Sequence, residues 1–121
     1  MEKQEQQYRQ FGMNDYQINE IYAYDKICKQ KGTSDRRCNC HSWKQHWINF
    51  SGKEWPAKCM ALGCDRKVRL GAHITKQGER REYIIPACEG CNQSSSAFYL
   101  KQGACLVSAN QSETCGKNDE R

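Results

Sequence analysis

Two pairs of cysteines constrain this chain more than any other feature: Cys59-Met-Ala-Leu-Gly-Cys64 and Cys88-Glu-Gly-Cys91. Each spacing lets a tight turn offer both sulfurs to one ion, and the 23 residues between the pairs suit a β-hairpin. Four thiolates at about 2.3 Å around Zn²⁺ close a tetrahedron with no position left for substrate, which is the chemistry of a structural site. A chain of 121 residues has a small core, because small domains bury a lesser fraction of their surface. A structural zinc contributes on the order of 10 kcal/mol to folding, enough to offset that deficit. Gly63 and Gly90 each precede the second cysteine of a pair, where a knuckle needs backbone freedom. Unrelated buried thiols, a disulfide in an exported protein and an iron–sulfur cluster are the competing readings.

The total of nine cysteines is odd, which argues against complete disulfide pairing. The N-terminal residues Met-Glu-Lys-Gln-Glu-Gln-Gln-Tyr-Arg-Gln lack the apolar stretch of a secretory signal, so a reducing, cytoplasmic location is expected, where paired thiols serve as metal ligands. No apolar run reaches the roughly 20 residues that span a bilayer, so no membrane association is expected. Cys28, Cys38, Cys40, Cys105 and Cys115 stand outside the two pairs. Cys38-Asn-Cys40-His41 gathers three ligands for a second metal, two thiols and an imidazole, with no fourth partner evident in the sequence.

Patterning predicts an α+β fold: a small zinc-stapled core preceded by N-terminal helices. Residues 1–12 are polar and Gln-rich and read as a disordered arm. Ile18, Ile21, Tyr22, Asp25 and Cys28 recur at helical spacing, predicting a helix from Asn14, its N-cap, to about Gln30. A polar link, Thr33 to Arg37, leads to a second, short helix over 42–50. There Ser42 with Gln45 forms a capping-box pattern, and Trp43, Trp47 and Phe50 line one face as core or as a base-stacking surface. Strands are predicted over 66–75 and 80–86, joined at Lys76-Gln77-Gly78-Glu79, and a short helix follows Cys91. The domain is expected to span 13–104, with 105–121 as a C-terminal tail.

The charge is uneven. Residues 53–81 carry eight Lys/Arg against three Asp/Glu, which accounts for the whole net excess of +5. Arg66, Lys67, Arg69, Arg80 and Arg81 are the candidate nucleic-acid contacts, the alternative being a solvated face.

The Cys knuckle, Gly71-Ala72-His73-Ile74, a return strand and Cys88-x-x-Cys91-Asn92 together resemble the zinc-stapled branch of the HNH, or ββα-metal, endonucleases over residues 59 to about 100. The resemblance implies a treble-clef zinc fold. It assigns His73 as the base that activates water and Asn92 as a ligand of a catalytic divalent ion, Mg²⁺ or Mn²⁺. Ala72 departs from the pattern, since the family usually has an acidic or histidine ligand there, and no Asn lies between His73 and Cys88. The catalytic set is therefore incomplete, and the preferred reading of His73 is an oriented structural imidazole on the hairpin. The leading expectation is a zinc-stabilised HNH-like module that binds nucleic acid or a protein partner. The alternatives are a small metal-dependent endonuclease working through His73 and a protein-binding adaptor.

Overall fold

Helix α1 (Trp43–Ser51) forms where its boundaries are written most clearly. The Ser42 side chain accepts a hydrogen bond from Gln45 N at 3.0 Å, satisfying a backbone donor that the first turn leaves free. Gly52, in the left-handed conformation at φ 70°, ends the helix. The capping box is only half made, because the Gln45 side chain turns to Asn49 Oδ1 instead of returning to Ser42.

The computed structural model describes residues 18–21, 26–29 and 37–116. Beyond α1 it contains strands β1 (Asn19–Ile21), β2 (Ile27–Lys29), β3 (Leu70–Lys76), β4 (Glu82–Ala87) and β5 (Cys105–Ser108), with a one-turn helix α2 (Glu89–Asn92). A 3₁₀ turn follows at Gln111–Glu113. The strands form one five-stranded sheet in the order β1-β5-β4-β3-β2, every neighbouring pair antiparallel. The architecture is thus α+β, as expected.

The β3–β4 hairpin sits close to its predicted place, with Ala72 opposite Ile85, His73 opposite Ile84, and Gly78 at φ 86° in the connecting turn. Both faces of this hairpin are covered. Ala72, Ile74, Tyr83, Ile85 and Leu106 pack with Cys59, Cys88 and Leu100 on one side. Ile84, Cys105 and Val107 pack with Trp47 of α1 on the other. This two-sided burial explains why Tyr83-Ile84-Ile85-Pro86-Ala87 is continuously apolar instead of alternating. The aromatic face of α1 is core: Trp47 is 3% exposed and its Nε1 donates to Cys105 O at 2.9 Å.

Two expectations need correction. The described parts of the predicted 14–30 helix are edge strands, β1 and β2; the arm 1–12, Asn14, Tyr22, Asp25, Gln30 and residues 31–36 lie outside the described residues. The helical spacing of Ile18 and Ile21 did not report a buried face, since they are 39% and 52% exposed. Ile27, fully buried, exchanges backbone hydrogen bonds with Phe98 at 2.7 and 2.9 Å. Sheet edges with unpaired backbone groups thus override a weak local helical preference. The second correction concerns residues 105–116, expected as a tail. They supply β5, an interior strand whose Leu106 and Val107 are fully buried, so the domain extends past 104.

Candidate metal centres

The first knuckle is an arm of backbone pairing rather than a free loop. Lys58 and Lys67 form an antiparallel bridge, and Cys59 N donates to Arg66 O at 2.9 Å. Cys64 N returns to Ala61 O at 3.0 Å, with Gly63 at φ 81° making the turn. Lys101 Nζ closes the loop on Cys64 O at 2.8 Å. The second knuckle is the start of α2, where the Cys88 sulfur caps the helix by accepting from Cys91 N at 3.4 Å. Gly90 needs no positive φ; a Cβ there would meet the Arg66 guanidinium at 3.1 Å.

These turns bring the sulfurs of Cys59, Cys64, Cys88 and Cys91 within 4.8 Å of one another. Cys64 and Cys88 are 3.8 Å apart. Bonds of about 2.3 Å at the tetrahedral angle put neighbouring sulfurs about 3.8 Å apart, so the arrangement fits a four-thiolate metal site. Burial raises the Cys59 thiol, and burial together with the Cys88 thiol raises Cys91. Burial would also raise Cys88, but hydrogen bonds from Cys91 N–H and from the thiols of Cys91, Cys64 and Cys59 outweigh it and bring Cys88 down to about 7.

A second cluster assembles on the opposite face of the sheet. Cys38, Cys40, His46 and Cys115 offer three sulfurs and one ring nitrogen, again within 4.8 Å of one another. His46 lies on the buried side of α1 with no exposed surface. The expected neighbour of this group, His41, is exposed and does not join it. His41 has φ 83° and turns the chain out of the Cys38-Cys40 loop towards the Ser42 cap. Sequence spacing could not reveal the fourth member, because Cys115 and His46 are 69 positions apart. Cys28 and Cys105 belong to neither cluster.

The residues assigned by resemblance to catalysis are members of neither cluster. His73 is 3% exposed in the middle of β3, and strand alternation turns it towards α1, where its ring meets Trp43 edge-on at 4.5 Å. Asn92 is half-buried at the end of α2. Among the described residues, His73 belongs to no group of three His, Cys, Asp or Glu side chains able to share an ion.

The five basic candidates divide between two ends of the hairpin. Arg66, Lys67 and Arg69 are exposed beside the first knuckle, whereas Arg80 and Arg81 lie beyond β3, roughly 20 Å away at about 3.3 Å per residue. Arg81 is engaged: its guanidinium donates to both Glu113 carboxylate oxygens at 2.8 and 3.3 Å. Lys67 and Arg69 flank the buried Val68 and line an open groove of about 510 Å³ with Lys44, Trp55, Pro56 and Ala57. Lys44 and Trp55 escaped sequence analysis because they belong to separate segments. Lys44 Nζ lies 5.3 Å from the Trp55 ring centroid, and no carboxylate lines the groove. No helix among the described residues is long and apolar enough to cross a membrane. Comparison with family models, curated proteins and solved structures gives no match, so the functional reading rests on the chemistry of these clusters and this groove.

Proposed function

We propose that the chain is a zinc-stapled, HNH-like module of treble-clef type that binds the phosphate backbone of a nucleic acid. Zinc is held by Cys59, Cys64, Cys88 and Cys91, and the backbone lies along the groove between α1 and the first knuckle. The observation that carries this reading is the convergence of Lys44, Lys67 and Arg69 on a groove with an indole in its wall and no carboxylate to neutralise them. Lys58 adds to it. It stands directly opposite Lys67 in the knuckle bridge, and like charges so placed repel unless an anion lies between or above them. Phosphates would relieve that repulsion, and the half-exposed Trp55 ring offers a face on which an unpaired base can stack. The reading is of binding without cleavage, since His73 is buried under α1 and does not line the groove.

Labelled single-stranded and duplex oligonucleotides, titrated over a salt series, test it. Affinity should fall steeply with salt. The triple reversal Lys44→Glu, Lys67→Glu, Arg69→Glu should weaken binding at least tenfold and flatten the salt slope by about one unit per lost phosphate contact. Arg80→Glu, at the far end of the hairpin, should change it much less. Affinity that ignores both salt and the triple reversal would place the partner among proteins instead.

A further inference from the structure

We infer that Cys38, Cys40, His46 and Cys115 form a second zinc centre, so that the chain carries two structural metals. The geometry is that of a Cys₃His tetrahedron. Cys38 and Cys115 sulfurs are 3.7 Å apart. His46 Nδ1 lies 3.2, 3.7 and 3.9 Å from the sulfurs of Cys38, Cys115 and Cys40. Zinc bonds of about 2.0 Å to nitrogen and 2.3 Å to sulfur predict about 3.5 Å for such N–S edges and 3.8 Å for S–S edges.

The imidazole is oriented for this task. Its Nε2 is 2.8 Å from Ser108 O, and a carbonyl can only accept, so Nε2 carries the proton and Nδ1 presents a lone pair to the three sulfurs. That lone pair is buried with the ring and has only sulfur neighbours among its recorded contacts. The Cys38-Cys40 loop also repeats the chemistry of the Cys88 knuckle: Cys40 N approaches Cys38 Sγ at 3.4 Å, as Cys91 N approaches Cys88 Sγ. His41 is the one non-glycine described residue at positive φ, at 83°. A side chain there is strained, which a site closing the loop around an ion would compensate. On the other side, a Cβ at Gly116 would lie 2.6 Å from Gln111 O, so the turn that delivers Cys115 is tightly folded.

Capture of Zn²⁺ by the three thiols and the neutral imidazole releases three protons to solvent and leaves a centre of net charge −1. No bond is oxidised or reduced. The centre ties the loop before α1, the helix itself and the C-terminal 3₁₀ turn into one unit on the face of the sheet opposite the first site. It does not depend on what the basic groove binds.

Metal analysis of the full-length chain, purified without chelator, should give two zinc ions per chain. Cys115→Ser and Cys91→Ser should each fall to one. Cadmium-substituted wild type should show two metal resonances, one of them coupled to a single histidine ring nitrogen, which needs no variant to fold. One zinc per chain in the wild type, retained in Cys115→Ser and lost in Cys91→Ser, would overturn the inference. So would a cadmium spectrum without histidine coupling, or a Cys38–Cys115 disulfide in protein handled under reducing conditions.

Discussion

Gly71 shows how a single missing methyl sets the position of a helix. A Cβ there would lie 2.8 Å from the Trp43 carbonyl carbon and 2.9 Å from its oxygen, both backbone atoms that cannot rotate away. The first turn of α1 can therefore rest on β3 only because residue 71 has no side chain. Gly71→Ala should cost about 1–3 kcal/mol, read as a lower denaturant midpoint with an unchanged slope. His73, two residues on and on the same face, supports the Trp43 ring. Its replacement by Ala should destabilise the fold by about 2–4 kcal/mol, as other large-to-small core changes do. It should leave any trace of phosphodiester cleavage in the preparation unchanged; cleavage by the wild type that disappears in a folded His73→Ala protein would restore the endonuclease reading. The Gly-Ala-His-Ile stretch, which in sequence carries the likeness to a nuclease strand, is thus accounted for by packing: close approach at 71, a small core residue at 72, a buried ring at 73 and a fully buried aliphatic chain at 74.

Among the elements, legibility followed the distance over which each is specified. The α1 helix and the β3–β4 hairpin could be read because a cap, a glycine turn and an apolar pattern all lie within a few residues of one another. The Cys59–Cys64 and Cys88–Cys91 pairs could be read because each knuckle is written in its own short spacing. Strands β1 and β2 could not. Their partners, β5 and β3, lie far along the chain, and edge pairing leaves little mark on local composition. The Cys₃His group was hidden for the same reason: proximity in sequence favoured His41, while the helix delivers His46. The knuckles themselves should behave as metal-dependent elements. Chelation of the first site, or Cys91→Ser, should release the arm 58–67 and α2, because α2 is a single turn and cannot persist alone. Amide exchange at Cys59, Cys64 and Cys91 should then rise far more than at Ile74 or Ile85. Equal protection with and without metal would show that backbone pairing alone holds the knuckles.

At the scale of the whole molecule, the sheet separates two kinds of packing. One face is built on the first cysteine cluster and its surrounding aliphatic residues. The other is built on the aromatic helix, whose Trp47 packs with Ile84, Cys105 and Val107 and whose His46 belongs to the second cluster. Truncation at residue 104 removes β5, and with it both Leu106 and Val107 of the core and the Ser108 carbonyl that orients His46. Such a chain should fail to unfold cooperatively, whereas a chain ending at residue 116 should retain a single sharp transition. A cooperative, native-like transition in the shorter chain would show that the interior strand is dispensable.

The register Asn19 to Val107 also fixes an order of events during synthesis. The first described strand has no partner in the sheet until the last one has been made, while the hairpin between them can pair as soon as residue 87 is clear of the ribosome. At roughly 5–20 residues per second, β1 waits several seconds with its backbone groups unpaired. The hairpin and the first cysteine cluster can therefore assemble as a nascent nucleus with β2 already on β3, and β1 is drawn onto the sheet only at the end, when β5 arrives.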